Sequence, residues 1–118
     1  MTNGSTNQSA GQDGPYSERR EVPRYTFIAS AEIIEPASDT HIAGRISEIS
    51  RKGCYIDVLN TLPKGTRIHV RISADSGSFR TSGHIIYVQE RMGMGVAFDE
   101  PRGDDARVLE GWLSELGR

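Results

Sequence analysis

Two short polar segments of the 118-residue sequence carry side chains that could hold an anion. The first contains Arg20 and Arg24, which are separated by three residues. The second runs Glu48-Ile49-Ser50-Arg51-Lys52-Gly53 and places a carboxylate and a hydroxyl close to a glycine. A guanidinium presents a planar fork of donors that matches a phosphate group. We therefore predict that the two segments form one anion-binding site.

The second segment has the pattern of a tight turn between two strands. Ser50 and Gly53 bracket the turn, and we expect Gly53 to adopt a positive φ, which glycine reaches at little cost. After the turn, Cys54, Ile56 and Val58 alternate with more polar residues. This alternation is the period of a half-buried strand. The predicted site therefore lies where one strand turns into the next.

The rest of the sequence predicts a barrel of short strands. Between Tyr25 and Phe98, alternating apolar residues are interrupted by turn-forming residues about every ten positions, which predicts six antiparallel strands. Gly44 falls inside the second strand, where we expect it to mark a bend or a bulge. The predicted fold is all-β, a six-stranded antiparallel barrel.

A C-terminal amphipathic helix is predicted from about Asp104 to Leu116, because apolar residues recur there at helical spacing. Asp104 or Asp105 is expected to cap its N-terminus. Trp112 lies on the apolar face, so we expect it to be buried against the barrel rather than to serve as a stacking platform.

Composition limits the classes of function. The length suits one domain. Residues 1–17 are almost entirely polar and are expected to form a disordered tail, which leaves residues 18–118 as the folded domain. The net charge of −2 argues against a nucleic-acid binder. No long apolar run or secretory signal is visible, so we expect a cytoplasmic protein without a membrane partner.

The sequence offers no grouping that predicts an enzyme. The three histidines, His41, His69 and His84, each stand alone on a predicted strand, and Cys54 is the only cysteine. No pair of nucleophile and base can be placed, and a cysteine-rich metal site is impossible. We therefore expect no catalytic residue, no metal and no cofactor.

The order and spacing of the motifs resembles the PilZ domain, a bacterial family of receptors for cyclic di-GMP. The family's R-x-x-x-R motif matches Arg20 to Arg24, and its [D/N]-x-S-x-x-G motif matches Glu48 to Gly53. A third segment, Gly93-Met94-Gly95-Val96-Ala97-Phe98, is similar to the family's closing strand. The sequence departs from the family at Glu48, where the family has Asp or Asn.

The resemblance implies a ligand, cyclic di-GMP, and a role for each matched residue. Arg20 and Arg24 would hold phosphate and guanine, and Glu48 would accept hydrogen bonds from the guanine edge. Ser50 would hydrogen-bond the ligand, and Gly53 would permit its close approach. Binding would order the arginine arm, and this single-domain receptor would signal to a downstream protein partner.

Two alternatives stay open. The chain could be a PilZ-like protein-interaction module that has lost cyclic di-GMP binding, because the Glu48 side chain is one methylene longer than Asp. A lost buried hydrogen bond costs about 1–3 kcal/mol, or roughly tenfold to a hundredfold in affinity. The chain could also be a small barrel that binds RNA or DNA, but its acidic net charge and few aromatic residues count against this function.

Overall fold

The computed structural model describes residues 22–118, so the predicted tail of residues 1–17 and Arg20 lie outside the described range. The described chain forms six strands followed by one helix. The elements are β1 (Arg24–Glu35), β2 (Thr40–Ser50), β3 (Gly53–Asp57), β4 (Arg67–Ala74), β5 (Gly77–Gln89), β6 (Gly93–Phe98) and α1 (Gly103–Leu116).

The six strands close into a barrel in the order β1-β2-β3-β6-β5-β4. Every neighbouring pair is antiparallel, and β1 closes the barrel by pairing with both β2 and β4. Closure supplies each strand with two neighbours and removes the unpaired edges of an open sheet. The predicted six-stranded antiparallel barrel is confirmed.

Alternation along the strands sets the inside of the barrel. In β4, Ile68, Val70 and Ile72 are buried, while the arginine and histidine residues between them face outward. The same period repeats in β1 and β3, where Ile33 and Ile56 are fully buried. The apolar core therefore fills the barrel, and the polar side chains of each strand lie on its outer surface.

The helix α1 packs against β5 and covers one side of the core. Trp112 is only 5% exposed, as predicted, and its ring centroid lies 4.9 Å from that of Phe27 and 6.2 Å from that of Phe79. Its indole Nε1 donates a hydrogen bond of 2.9 Å to Ser76 Oγ, which satisfies the one polar atom of the ring. Trp112 therefore anchors α1 to the barrel.

The start of α1 differs from the prediction. The N-cap residue is Arg102, which makes no side-chain cap hydrogen bond, and the helix begins at Gly103. The prediction that Asp104 or Asp105 caps the helix is wrong, because both lie within its first turn. Asp105 Oδ1 instead accepts a hydrogen bond of 2.8 Å from the backbone N–H of Arg80. The two carboxylates still favour the helix through its dipole.

Gly44 does not mark a bulge in the β1–β2 ladder, so this half of the prediction is wrong, and the bend stays a prediction. It pairs regularly with Ala31, within an unbroken stretch of the β1–β2 ladder. A Cβ at this position would lie 2.8 Å from Ile56 Cγ2, so the glycine allows close packing against β3. The register shifts of the barrel lie elsewhere, between Thr26 and Ala29, Ile46 and Glu48, and Ile85 and Tyr87.

Candidate ligand-binding site

The turn between β2 and β3 is closed by the Ser50 hydroxyl. Ser50 Oγ accepts hydrogen bonds from the backbone N–H groups of Lys52 (3.1 Å) and Gly53 (3.2 Å), and it donates to the Gly53 carbonyl (3.4 Å). A hydroxyl offers one donor and two acceptor positions, so these contacts use all three. Ser50 therefore holds the shape of the turn. The predicted hydrogen bond from Ser50 to a ligand stays a prediction. To donate to a ligand, the Ser50 hydroxyl would have to give up its 3.4 Å bond to the Gly53 carbonyl.

Gly53 is required by the neighbouring strand rather than by a positive φ. The described glycines with positive φ are Gly65, Gly77 and Gly103, so the predicted conformation of Gly53 is wrong. A Cβ on Gly53 would lie 2.1 Å from the Val96 carbonyl oxygen of β6, a distance that atoms cannot adopt. The backbone of β6 therefore passes directly over this position.

A backbone hydrogen bond fixes the turn against β6. The Phe98 N–H donates to the Lys52 carbonyl at 2.8 Å. The turn is thus held from within by the Ser50 hydroxyl and from outside by β6. Such a turn can present its backbone to a ligand without first being ordered.

Arg24 and Glu48 bring the two sequence motifs together. Arg24 is the first residue of β1 and pairs with Ser50 in the β1–β2 register, whereas Glu48 pairs with Thr26. Arg24 Nη1 lies 4.0 Å from Glu48 Oε1. The two side chains are 23% and 39% exposed, so both can be reached from solvent.

A cleft of about 580 Å³ opens beside the turn. Arg24, Ser50 and Gly53 contribute to its wall, as do Leu109 and Glu110 of α1. The segment that joins β6 to α1 completes the lining. Glu48 is not among the lining residues, but it contacts Arg24, which is one of them.

The cleft is lined by three basic residues, Arg24, Arg51 and Lys52, and by three acidic ones, Asp99, Glu100 and Glu110. Two of the three carboxylates already pair with arginines. Asp99 accepts a bond of 2.6 Å from Arg67, and Glu110 pairs with Arg51 of the turn. Exposed pairs of this kind contribute little to stability, but they reduce the negative charge that an anion would meet. Lys52 and Arg24 add positive charge to the same cleft.

The structure places three of the predicted site residues around the cleft and leaves one prediction open. Arg24, Ser50 and Gly53 line it, and Glu48 contacts Arg24. Arg20 lies outside the described residues, so its position beside Arg24 stays a prediction.

Other residues of the cleft were not predicted. Arg51 and Lys52 belong to the turn motif, and their charge was the available signal. Nothing in the sequence around Glu110 indicates that α1 lines the cleft. The position of α1 at the cleft follows from how the helix packs on the barrel, which only the tertiary structure reveals.

The reactive side chains near the site are engaged or buried. Cys54 is fully buried, and burial raises the pKa of its thiol, which disfavours the nucleophilic thiolate. Burial, and then the nearby Asp57 and Tyr87, raise the pKa of Tyr55. The Tyr55 hydroxyl donates to Gln89 Oε1. Both groups are therefore neutral at physiological pH.

Residues 22–118 contain no group of three or more His, Cys, Asp or Glu side chains that could hold a metal ion. No helix in this part of the chain is long and apolar enough to cross a membrane.

Comparison with protein families gives one match. The model of the PilZ domain matches residues 18–115, which include both arginines and the turn motif. No curated protein matches the chain.

Solved structures share the fold at low sequence identity. The PilZ domain of YcgR from Escherichia coli, solved with c-di-GMP, superposes with a TM-score of 0.69 at 16% identity, covering 85% of this chain and 92% of that one. The PilZ domain of CeSA from a cellulose-synthesizing bacterium gives a TM-score of 0.62 at 13% identity, covering 81% and 99%.

A third structure contains the fold as a part. The inhibitor of motility MotI/DgrA from Bacillus subtilis gives a TM-score of 0.64 at 17% identity. The match covers 80% of this chain but 48% of that protein, so the chain spans about half its length.

Proposed function

The chain belongs to the PilZ domain family, and from this premise we propose that it is a receptor for cyclic di-GMP. The observation that carries the proposal is the meeting of Arg24, Glu48 and the Ser50–Gly53 turn beside one cleft. The YcgR domain that shares its fold is described with the same ligand. We further propose that the protein is a cytoplasmic binding module without catalytic activity or a cofactor.

Arg24 is the proposed contact for phosphate and guanine. Cyclic di-GMP carries two phosphates and two guanines, and a guanidinium can donate two parallel hydrogen bonds to a phosphate or to guanine O6 and N7. Arg24 has its side chain at the edge of the cleft and is partly exposed, so it needs no large movement to reach such a ligand.

Glu48 is the proposed acceptor for the guanine edge. The N1–H and N2–H₂ groups of guanine need an acceptor, and a carboxylate offers two oxygens. Glu48 Oε1 lies 4.0 Å from Arg24 Nη1, so the acid also holds the guanidinium at the cleft. We propose that Arg24 turns to a phosphate of the ligand while the Glu48 carboxylate accepts from the base.

The turn supplies shape and charge. Ser50 keeps the turn closed through its three hydrogen bonds, and Gly53 lets the backbone of β6 lie directly against the turn. Lys52 adds positive charge beside Arg24. We propose that these residues recognise one phosphate of the ligand together with Arg24.

We propose that the protein signals through its N-terminal arginine arm. Arg20 would close over the bound ligand from the N-terminal side, which would order the arginine arm. A downstream protein partner would then bind the surface that this arm completes. Nothing in the proposal requires the domain itself to do chemistry.

One observation favours the alternative of an interaction module that has lost the ligand. In this structure the longer side chain at position 48 reaches Arg24, so the carboxylate competes with a phosphate for the guanidinium. Calorimetric titration with cyclic di-GMP, with 5′-GMP as the control, separates the two functions. Heat specific to the cyclic dinucleotide supports the receptor, and its absence supports the interaction module.

A further inference from the structure

Two arginines stand directly opposite each other on another side of the barrel. Arg71 of β4 pairs with Arg80 of β5 in the antiparallel register, and both side chains face outward and are exposed. Like charges in directly opposed positions destabilise a sheet. The Arg71–Arg80 pair is therefore unfavourable for stability, and because both side chains are exposed, core packing does not explain it.

The neighbouring acidic residues compensate this pair only in part. Glu32 of β1 lies in register with Arg71, and its Oε1 is 3.7 Å from Arg71 Nη2. The same carboxylate is shared with His41, whose Nδ1 lies 3.6 Å from Glu32 Oε2. Among residues 22–118, the Arg80 guanidinium makes no ion pair, and Asp105 is bonded to the Arg80 backbone N–H instead. Of the two guanidinium groups, only that of Arg71 therefore has a carboxylate partner, and it shares this partner with His41.

A shallow groove of about 370 Å³ runs over this pair. Besides the arginines, Glu32, His69, Thr81 and Ser82 supply polar groups, and His69 Nδ1 lies 3.0 Å from Ser82 Oγ. The described residues that line the groove include no aromatic residue other than this histidine, so it offers little surface on which a base could stack. The groove shares no lining residue with the cyclic di-GMP cleft in the described part of the chain.

We propose that this arginine face, defined by Arg71 and Arg80, is the docking surface for an acidic, extended segment of the downstream partner protein. The inference rests on the proposed function for the existence of a partner, and it adds the partner's chemistry and place of contact. Guanidinium groups bind carboxylates through paired, charge-assisted hydrogen bonds. A carboxylate between the two arginines would also relieve their repulsion.

An acidic peptide of alternating sequence tests this surface. In an extended Glu-Thr-Glu-Thr-Glu-Thr peptide the three carboxylates lie on one face. We expect the capped, labelled peptide to bind at low ionic strength, with backbone amide shifts centred on Arg71, Arg80 and Ser82. The Arg80→Gln variant should bind about fivefold more weakly. The Gln-Thr-Gln-Thr-Gln-Thr peptide should not bind.

The matched control is Arg107→Gln, which removes another exposed arginine, from α1, where it pairs with Asp104. Affinity for the acidic peptide should stay within about twofold of wild type, since this site is not part of the groove. Equal weakening by both variants would mean unspecific attraction and would overturn the proposal. Shifts centred on Arg24 and the turn, or no shifts at all, would overturn it as well.

Two further measurements separate this proposal from others. The melting temperature of Arg80→Gln should equal or exceed that of wild type, because a like-charge pair is removed. A clear decrease in melting temperature would show that Arg80 stabilises the fold, and it would contradict the proposal.

An oligonucleotide or pyrophosphate that displaces the peptide at lower concentration would also overturn the proposal. Cyclic di-GMP affinity should be unchanged in Arg80→Gln. If wild type bound the peptide but no cyclic di-GMP, only the receptor function would fail.

Discussion

Arg24 Nη1 and Glu48 Oε1 lie 4.0 Å apart on the neighbouring strands β1 and β2. The pair is partly exposed, so its contribution to stability is small. Its consequence is positional, because the carboxylate holds the guanidinium at the edge of the cleft. An incoming phosphate must compete with Glu48 for Arg24, and the length of the side chain at position 48 therefore affects the affinity for an anion.

The Glu48→Asp variant should bind cyclic di-GMP as tightly as wild type or more tightly. The shorter acid withdraws from Arg24 and restores the acceptor length found in the family. Calorimetric titration at one fixed salt concentration measures the change. Glu90→Asp, the same substitution in an exposed turn, is the control and should leave affinity unchanged. A tenfold loss of affinity in Glu48→Asp would contradict this role of the side chain.

Gly53→Ala should destabilise the domain by about 1–3 kcal/mol, because the new Cβ would overlap the Val96 carbonyl and force the backbone to shift. Gly111→Ala is the matched control. Gly111 lies on the exposed side of α1, and a Cβ there would have no atom within 4 Å, so alanine should stabilise the helix by about 0.5–1 kcal/mol. Urea unfolding measures both changes. Equal stability of Gly53→Ala and wild type would show that β6 does not constrain the turn.

Burial of Cys54 predicts a loss of stability at alkaline pH. The unfolded thiol ionises near pH 8.5, whereas burial raises the pKa of the native thiol, so the native state keeps its proton. Above about pH 8.5 the unfolded state therefore binds fewer protons, and the free energy of unfolding falls by at most about 1.4 kcal/mol per pH unit. Cys54→Ala should show a shallower decline between about pH 8 and pH 10. Identical pH profiles for the two proteins would contradict the prediction.

Cyclic di-GMP should protect the arginine motif from trypsin. If Arg20 closes over the ligand, cleavage after Arg19 and Arg20 should slow at saturating ligand, because the bound chain is shielded. Cleavage after Lys64, which is exposed and does not line the cleft, is the internal control and should not change. Equal rates at Arg20 with and without ligand would remove the arm from the mechanism, even if binding itself were demonstrated.

Local patterns predict the barrel correctly. The alternation of Ile68, Val70 and Ile72 specifies the inside of β4, because successive side chains of a strand point to opposite faces. The spacing of Trp112 and its neighbours likewise specifies the buried face of α1. Both predictions need only the repeat of the strand or helix and the knowledge of which residues are apolar and which are polar.

Predictions that depend on contacts between distant segments are less accurate. The local pattern assigns Gly53 to the turn, but β6 is what excludes a side chain there. The same kind of pattern makes Asp105 a cap of its own helix, but it bonds to the backbone of β5. The pairing of Arg51 with Glu110 follows from the packing of α1 beside the turn. None of these contacts leaves a pattern in the neighbouring sequence.

Binding of cyclic di-GMP to wild type and to Arg24→Ala, measured by titration calorimetry at one salt concentration, tests the central claim most directly. We predict measurable binding by wild type and a loss of at least about tenfold in Arg24→Ala, because a charge-assisted hydrogen bond is worth about 1.5–3 kcal/mol. Arg107→Ala should bind like wild type, and all three proteins should unfold at similar temperatures. Equal affinity of Arg24→Ala and wild type would contradict the assigned site. Absence of binding by wild type would contradict the receptor function itself.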